Sequence, residues 1–362
     1  MLRFRAPQVI KKGFDMRSQW NGINHRRALY LVVGLVLTTP VHAQQLPRVV
    51  TIGSNPPGSA FYSVASGLSK VVTDAGPLQM SVQPHSGSSS FLPLLNTGEM
   101  DFGVVNAVEV LLSYYGPTRL KIGGPNPFEH SPNIRLVMRG APLRVGLLIR
   151  KNAPFKSLQD IKGKRVTGEY PAQLAVWYNM YGLLASGGLK WSDVKVIPVP
   201  GVNEGVDALV QGRADVASNA LNAAKIREAD AAVGVRHLSA DCSPEGQARV
   251  RKVLPGYQMG IVKAGSALAV IEDACVGAFD IYFSTGASEP DQVVASALKA
   301  IWENVEKLAP QHPILTEWTR ERAVDADVTI PYHPAAVQFY KERGLWPAKM
   351  DEVQRKLVAL NR

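Results

Sequence analysis

Val49, Val50 and Ile52 form a short β-branched run, and the cluster Gly53–Ser59 is rich in turn formers. Phe61, Val64, Ala65, Leu68, Val71 and Val72 then recur at helical spacing. The pattern predicts a strand, a glycine-rich turn and a helix starting near Ser59. Such a helix mouth suits an anion or polar ligand, although the same pattern also describes an ordinary βα turn of an α/β sheet. Alternation around Met80 and Val82 predicts a second strand over 78–84. Phe91, Leu92, Leu94 and Leu95 predict a short helix, with Ser88 to Ser90 as its N-cap and Gly98 as its C-terminal stop. Phe102–Val105 reads as a buried strand ending in Asn106, at the kind of strand end where open α/β sheets hold ligands.

The stretch Tyr114–Asn133, rich in Gly, Pro and polar residues, reads as a surface excursion. Strands follow over 134–138, 144–149 and 165–168, with a helical turn between Pro154 and Gly163. Pro171 suits the first position of a helix carried on by Leu174, Trp177, Tyr178, Tyr181 and Leu184. A strand over 194–199 leads to a helix opened by Gly201, Val202, Asn203 and Glu204. Beyond Val235 the pattern loosens, with an extended return over 254–262, a strand over 276–283, and helices over about 291–308, 334–343 and 350–360.

One motif occurs twice. Leu95-x-x-Gly98-x-x-Asp101 is matched by Leu209-x-x-Gly212-x-x-Asp215, and both following strands end in asparagine, Asn106 and Asn219. Each copy follows a strand, a polar turn and a helix, which predicts two lobes of similar build. Convergent turn chemistry between helix and strand is the alternative.

The chain has 362 residues, of which 46% are hydrophobic and 19% charged, enough for a sizeable core and two domains. Arg26-Arg27 precede an apolar run over 28–37, and Val41-His42-Ala43 has small residues where a signal peptidase cuts. Residues 1–43 thus read as a secretory signal peptide cleaved after Ala43, which left uncut would tether the protein to the membrane. The arginine pair also raises the twin-arginine export route, and Met16 offers a second start. This segment carries seven of the forty Lys/Arg residues and one of the thirty acids. The rest of the chain therefore has 33 bases against 29 acids, a net charge of +4. No basic stripe remains to argue for nucleic acid.

Two cysteines, Cys242 and Cys275, allow a disulfide in an oxidising compartment or two buried thiols. The seven histidines show no zinc-binding spacing, so no metal or cofactor is expected. Gly53-x-x-x-x-Gly58 has the glycine spacing of a phosphate loop, but Ser59-Ala60 replace the required Lys-Ser/Thr. Gly87–Phe91 fails the nucleophile-elbow pattern at its last position. What remains are neutral, hydroxyl- and amide-rich helix mouths, suited to holding a small polar molecule without transforming it.

Ser54, Gly58-Ser59-Ala60-Phe61-Tyr62, Ser86-Gly87-Ser88, Leu94-Leu95-x-x-Gly98-x-x-Asp101 and Asp160–Val166 resemble the TAXI-type solute-binding proteins of tripartite ATP-independent periplasmic (TRAP) transporters. Tyr332–Ala336 with Tyr340 and Gly344 is similar to that family's closing helix, so the resemblance spans 49–344. It implies an α/β, two-lobed periplasmic binding protein of type II-like architecture. Each lobe would be a mixed, mostly parallel sheet flanked by helices, with the ligand in the cleft between lobes. The expected division is 47–146 for the first part of lobe one, 147–265 for lobe two, and 266–362 for the return to lobe one and the C-terminal helices. The implied function is a receptor, not an enzyme. It would capture a small organic solute, a carboxylate or amino-acid-like compound, and pass it to ion-gradient-driven TRAP permease subunits. A sensor docking on a signalling kinase, a periplasmic enzyme on the same fold and the binding component of an ATP-driven importer are the alternatives.

By position, the resemblance assigns ligand contacts to Ser54, Ser59 and Tyr62 at the first helix mouth, with Gly58 in its turn and Phe61 beside Tyr62 as the aromatic pair. Ser88, Ser89 and Asn106 complete the first lobe, and Asn203 and Asn219 stand at the matching places in the second. After Gly168 the family has a Gly-Ser-Gly-Thr turn that holds a carboxylate, whereas this chain has Glu169-Tyr170-Pro171-Ala172-Gln173. Losing two charge-assisted hydrogen bonds of about 1.5–3 kcal/mol each would cost a carboxylate roughly a hundredfold or more in affinity. The departure leaves two readings. Either the ligand is aromatic, less anionic or zwitterionic and lies near Tyr170, Gln173 and Trp177, or Glu169 faces solvent and other groups hold the carboxylate.

Overall fold

The computed structural model describes residues 49–119, 126–171, 173–254 and 257–360; the leader expected over 1–43 lies outside them. From β1 (Val49–Ser54) the chain enters α1 (Ala60–Ala75), whose N-cap Ser59 accepts the Tyr62 N–H. It continues through β2 (Gln79–Pro84), α2 (Ser88–Thr97) and β3 (Phe102–Asn106). β1 lies between β2 and β3, parallel to both. The N-cap of α2 is Gly87, so Ser88–Ser90 form its first turn rather than its cap.

The expected surface excursion begins later than the sequence pattern indicates. Residues Ala107–Arg119 form α3, broken at Gly116, and Tyr114 is buried. The two strands expected over 134–149 are one, β4 (Ile134–Arg150). Pro142, which looks like a break in the pattern, faces Asp280 where the pairing shifts register, a place that tolerates a missing N–H.

The opening order of elements then recurs. β5 (Arg165–Glu169), α4 (Leu174–Ser186), β6 (Lys195–Val199), α5 (Val202–Val210) and β7 (Val216–Ala220) follow. β5 lies between β6 and β7 and runs parallel to both, as β1 does between β2 and β3. The repeated aspartates explain part of the match. Asp101 Oδ2 accepts the Thr51 N–H and hydroxyl, both at 2.7 Å, and so ties the entrance of β3 to β1. Asp215 Oδ2 accepts the Arg165 N–H at 2.9 Å and ties β7 to β5. Gly98 and Gly212, with φ of 80° and 72°, supply the left-handed residue that ends the preceding helix in each copy. Pro171 is not helical: α4 begins at Leu174 with Gln173 as N-cap.

The chain returns through α6 (Ala224–Val233), β8 (Val235–Leu238), α7 (Pro244–Val253), β9 (Gln258–Val262) and β10 (Ala274–Gly286). It ends in α8 (Asp291–Glu303), short helical turns, α9 (Pro334–Glu342) and α10 (Lys349–Ala359). The sheet order is β2-β1-β3-β10-β4-β7-β5-β6, with β8 added on β4 and β9 on β10. The central strands β4 and β10 are antiparallel to each other and to their neighbours, so parallel pairing is confined to the two outer triplets. Cys242, after β8, is joined to Cys275 at the start of β10 by a disulfide.

Separate apolar cores lie over the two triplets. The larger packs Val64, Leu68, Phe102, Val104, Leu136 and Leu298 together, with Phe102 stacked on Phe283 at 4.9 Å. The second gathers Leu147, Ile149, Val166, Met180, Leu183 and Val216. Each fully buried side chain of this kind contributes about 1.5–3 kcal/mol. α8 and α9 pack on the first core, which leaves the strand ends and helix mouths of both triplets clear for a site.

Candidate functional site

A cavity opens between the two cores where the mouths of α1 and α4 face each other. From the first triplet come Asn55, Ser59, Ala60, Phe61 and Asn106, and Glu109 from α3. From the second come Gln173, Ala175, Val176 and Asn179 around the start of α4, Val202 of α5, and Ser218, Asn219 and Ala220 of β7. Leu143 and Val145 of β4 and Phe279 of β10 supply an apolar wall. The volume open to water-sized molecules is about 40 Å³, room for a few waters only. A solute of amino-acid size needs the two sides to part.

Five of the twelve sequence-assigned residues line this cavity: Ser59, Phe61, Asn106, Gln173 and Asn219. The Ser59 hydroxyl donates to Pro56 O at 2.7 Å while its oxygen caps α1. Asn106 Oδ1 accepts the Val108 N–H at 2.7 Å, and Asn219 Oδ1 accepts the Ala220 N–H at 2.7 Å. Both amide oxygens are thus engaged by backbone, and Asn219 Nδ2 is left buried without a partner. Gln173 Oε1 accepts the Val202 N–H at 2.6 Å, so the residue that caps α4 also serves the first turn of α5.

The other seven lie elsewhere. Ser54 is buried and donates to Asn55 O, and Ser88 is buried beside the lining residues Asn55 and Glu109, donating to Asn55 Oδ1 at 3.2 Å. Ser89 lines a separate hollow beside Phe128 and Leu174, and Tyr62 is half-buried away from the cavity. Gly58 and Asn203 meet at the rim, where Asn203 Nδ2 donates to Pro57 O at 3.1 Å and bridges the first and second triplets. Tyr170 is fully buried in the second core, its hydroxyl 2.5 Å from Thr167 Oγ1 and its ring against Gly205 of α5.

Glu169 is exposed, which favours the reading in which it faces solvent. Its turn is nonetheless unusual. Glu169 and Tyr170 both hold left-handed backbone, φ 71° and 47°, at positions where the resemblance implied a glycine-containing turn. Such residues cost on the order of 1–2 kcal/mol each, and the buried Tyr170 side chain holds the turn in place.

The acidic group at the site belongs to a residue not singled out in the sequence, Glu109. It sits in the first turn of α3, fully enclosed, and its Oε1 accepts the Ala175 N–H at 3.0 Å. One carboxylate therefore stands at the N-termini of two helices, α3 and α4, and links the two sides of the cavity. Burial pushes its pKa up to about 7, against the Ser88 hydroxyl and the Ala175 N–H, which both favour the ionised form. The available signal was an acid set inside the apolar run Ala107–Leu112. Asn179, also not singled out, presents a buried Oδ1 without a partner.

The lining contains no lysine, arginine or histidine, no cysteine, and no serine paired with a base. Among the described residues no group of three His, Cys, Asp or Glu is placed to hold a metal, and no helix is long and apolar enough to cross a membrane. The arrangement can bind a small solute through amides, a hydroxyl, a carboxyl group and an apolar wall.

Solved structures share this architecture. Periplasmic binding protein BugD superposes with a TM-score of 0.54 at 13% identity, over 87% of this chain and 97% of that one. R. palustris Rpa4515, solved with adipate, gives 0.53 at 12% identity, over 87% and 99%. A protein described as a periplasmic transporter gives 0.52 at 12% identity, over 85% and 95%. At these identities the likeness is one of fold, and the fold is that of periplasmic solute-binding proteins. The model of the NMT1-like family matches residues 52–344, nearly the whole of the described chain, and the protein belongs to that family.

Proposed function

We propose that this protein is an exported solute-binding receptor of the TAXI type, which closes on a small polar organic solute and delivers it to a TRAP permease. The observation that carries the reading is the cavity between the two cores, where Asn106 and Asn219 at equivalent strand ends face the mouths of α1 and α4. Equivalent positions on two packed units, converging on one hollow without a nucleophile–base pair, suit reversible capture and not turnover. Closing would turn on β4 and β10, near the register shift at Asp280–Tyr282, because these strands run through both halves of the sheet. A solute that favours the closed form shifts the open–closed equilibrium by its differential affinity for the two states, and the permease reads the result.

Native mass spectrometry of the purified protein, followed by identification of any co-purified solute, tests the capture step. A single small organic molecule per chain is the expected result. Uptake of that solute into vesicles bearing its permease should then collapse when the ion gradient is dissipated and resist vanadate. Vanadate sensitivity would assign the protein to an ATP-driven importer instead.

A further inference from the structure

We infer that the site selects a solute carrying an ammonium or other N–H donor group, received by Glu109 and Asn179, over the corresponding oxo acid or plain carboxylate. The inference rests on the receptor reading and narrows its solute class.

Three features of the cavity lead to it. The first is the sign of its charge. Glu109 is its one acidic lining residue, no basic residue lines it, and Glu109 makes no ion pair among the described residues. A buried carboxylate without a counter-charge gains most from a ligand that brings one. The second is that a helix mouth on which a solute carboxylate would rest is already taken. Glu109 Oε1 accepts the Ala175 N–H in the first turn of α4, so that N–H is not free to hold a solute carboxylate. The third is the pattern of unpartnered buried atoms. Asn179 Oδ1 is an acceptor without a donor, on the same helix as Ala175 and one turn further along. Asn219 Nδ2 is a donor without an acceptor, its orientation fixed by the bond from Ala220 N to its Oδ1.

The cavity thus has an acceptor side, Glu109 with Asn179, and a donor, Asn219. A zwitterion or an amide fits this pattern, with its donor nitrogen toward Glu109 and its carbonyl or carboxylate toward Asn219. The wall of Leu143, Val145 and Phe279 leaves room for a modest apolar group.

Isothermal titration of the intact mature protein with matched pairs tests the inference: L-alanine and pyruvate, L-valine and 2-oxoisovalerate, L-glutamate and 2-oxoglutarate. Each pair differs in the ammonium against the keto oxygen. In the pairs that bind, the amino member should bind about tenfold to a hundredfold tighter, the value of one charge-assisted hydrogen bond. In Glu109→Gln, which keeps an acceptor for Ala175 N–H, that ratio should fall close to one while the oxo acid binds no worse. Should the Glu109→Gln variant fail to fold, the wild-type ratios decide alone. Oxo acids binding as well as or better than their amino partners, or a preference that survives Glu109→Gln, would overturn the inference and leave the receptor reading standing. Failure of every member of both series would count against the receptor reading and take the inference with it.

Discussion

At the scale of single residues, Glu109 has the largest consequence. Its pKa in the folded protein, about 7, lies above the ordinary carboxylate value, so the folded state holds its proton more tightly than the unfolded chain does. Its contribution to stability is complete below the unfolded pKa and is lost as pH rises through about 7. Glu289, raised to about 7 by burial and then by Asp101, acts in the same window. Buried His237, lowered to about 4, acts in the opposite direction over part of this range, so the Glu109 contribution is read as a difference. Between pH 4.5 and 7.5, denaturant unfolding should show the wild type losing stability relative to Glu109→Gln as pH rises. The duplicated aspartates give a second prediction. Asp101 and Asp215 each fasten two strands through backbone N–H groups, and charged-acceptor bonds are worth about 1.5–3 kcal/mol. Asp101→Ala and Asp215→Ala should each lower unfolding free energy by roughly 2 kcal/mol. Asp101, Asp215, Asn106 and Asn219 were legible because a spacing repeated. Glu109 was not, because a lone acid in an apolar run gives no pairing to read, and its partner Ala175 is sixty-six residues away.

At the scale of elements, the sequence pattern locates β1 to β3 and α1 well, since alternation, turn residues and helical spacing agree there. It misses most of α3. Ala107–Leu112 is buried on several sides, so no polar face marks a helical period, and Gly116-Pro117 look like a loop although they kink a helix that continues to Arg119. It splits β4 at Arg139–Pro142, residues whose turn-like composition is accommodated by a long partner strand with shifted register. The pairing of Cys242 with Cys275 was open from sequence, since two cysteines do not reveal their distance. The bond closes a loop of 33 residues between the segment after β8 and the start of β10. Loss of a cross-link of that span typically costs about 3–4 kcal/mol. Reduction, or Cys242→Ser with Cys275→Ser, should lower the unfolding free energy by about that amount and leave the far-ultraviolet spectrum nearly unchanged.

At the scale of the whole molecule, the repeated plan was visible in the chain because each triplet uses the same local chemistry: a turn, a capped helix, a left-handed glycine and an anchoring aspartate. Which residues converge on one hollow was only half legible. Helix mouths and strand ends pointed to Ser59, Asn106, Gln173 and Asn219, but the bond from Ala175 to Glu109 and the burial of Tyr170 depend on packing between distant segments. The cavity of about 40 Å³ and the rim bond from Asn203 to Pro57 describe a molecule with its halves drawn together. Capture then requires opening, and small-angle X-ray scattering with and without the solute identified by mass spectrometry measures it most directly. The radius of gyration should fall as solute is added and saturate at one solute per chain. A radius unchanged at full occupancy, with the solute bound outside the cavity, would contradict closure around a captured solute.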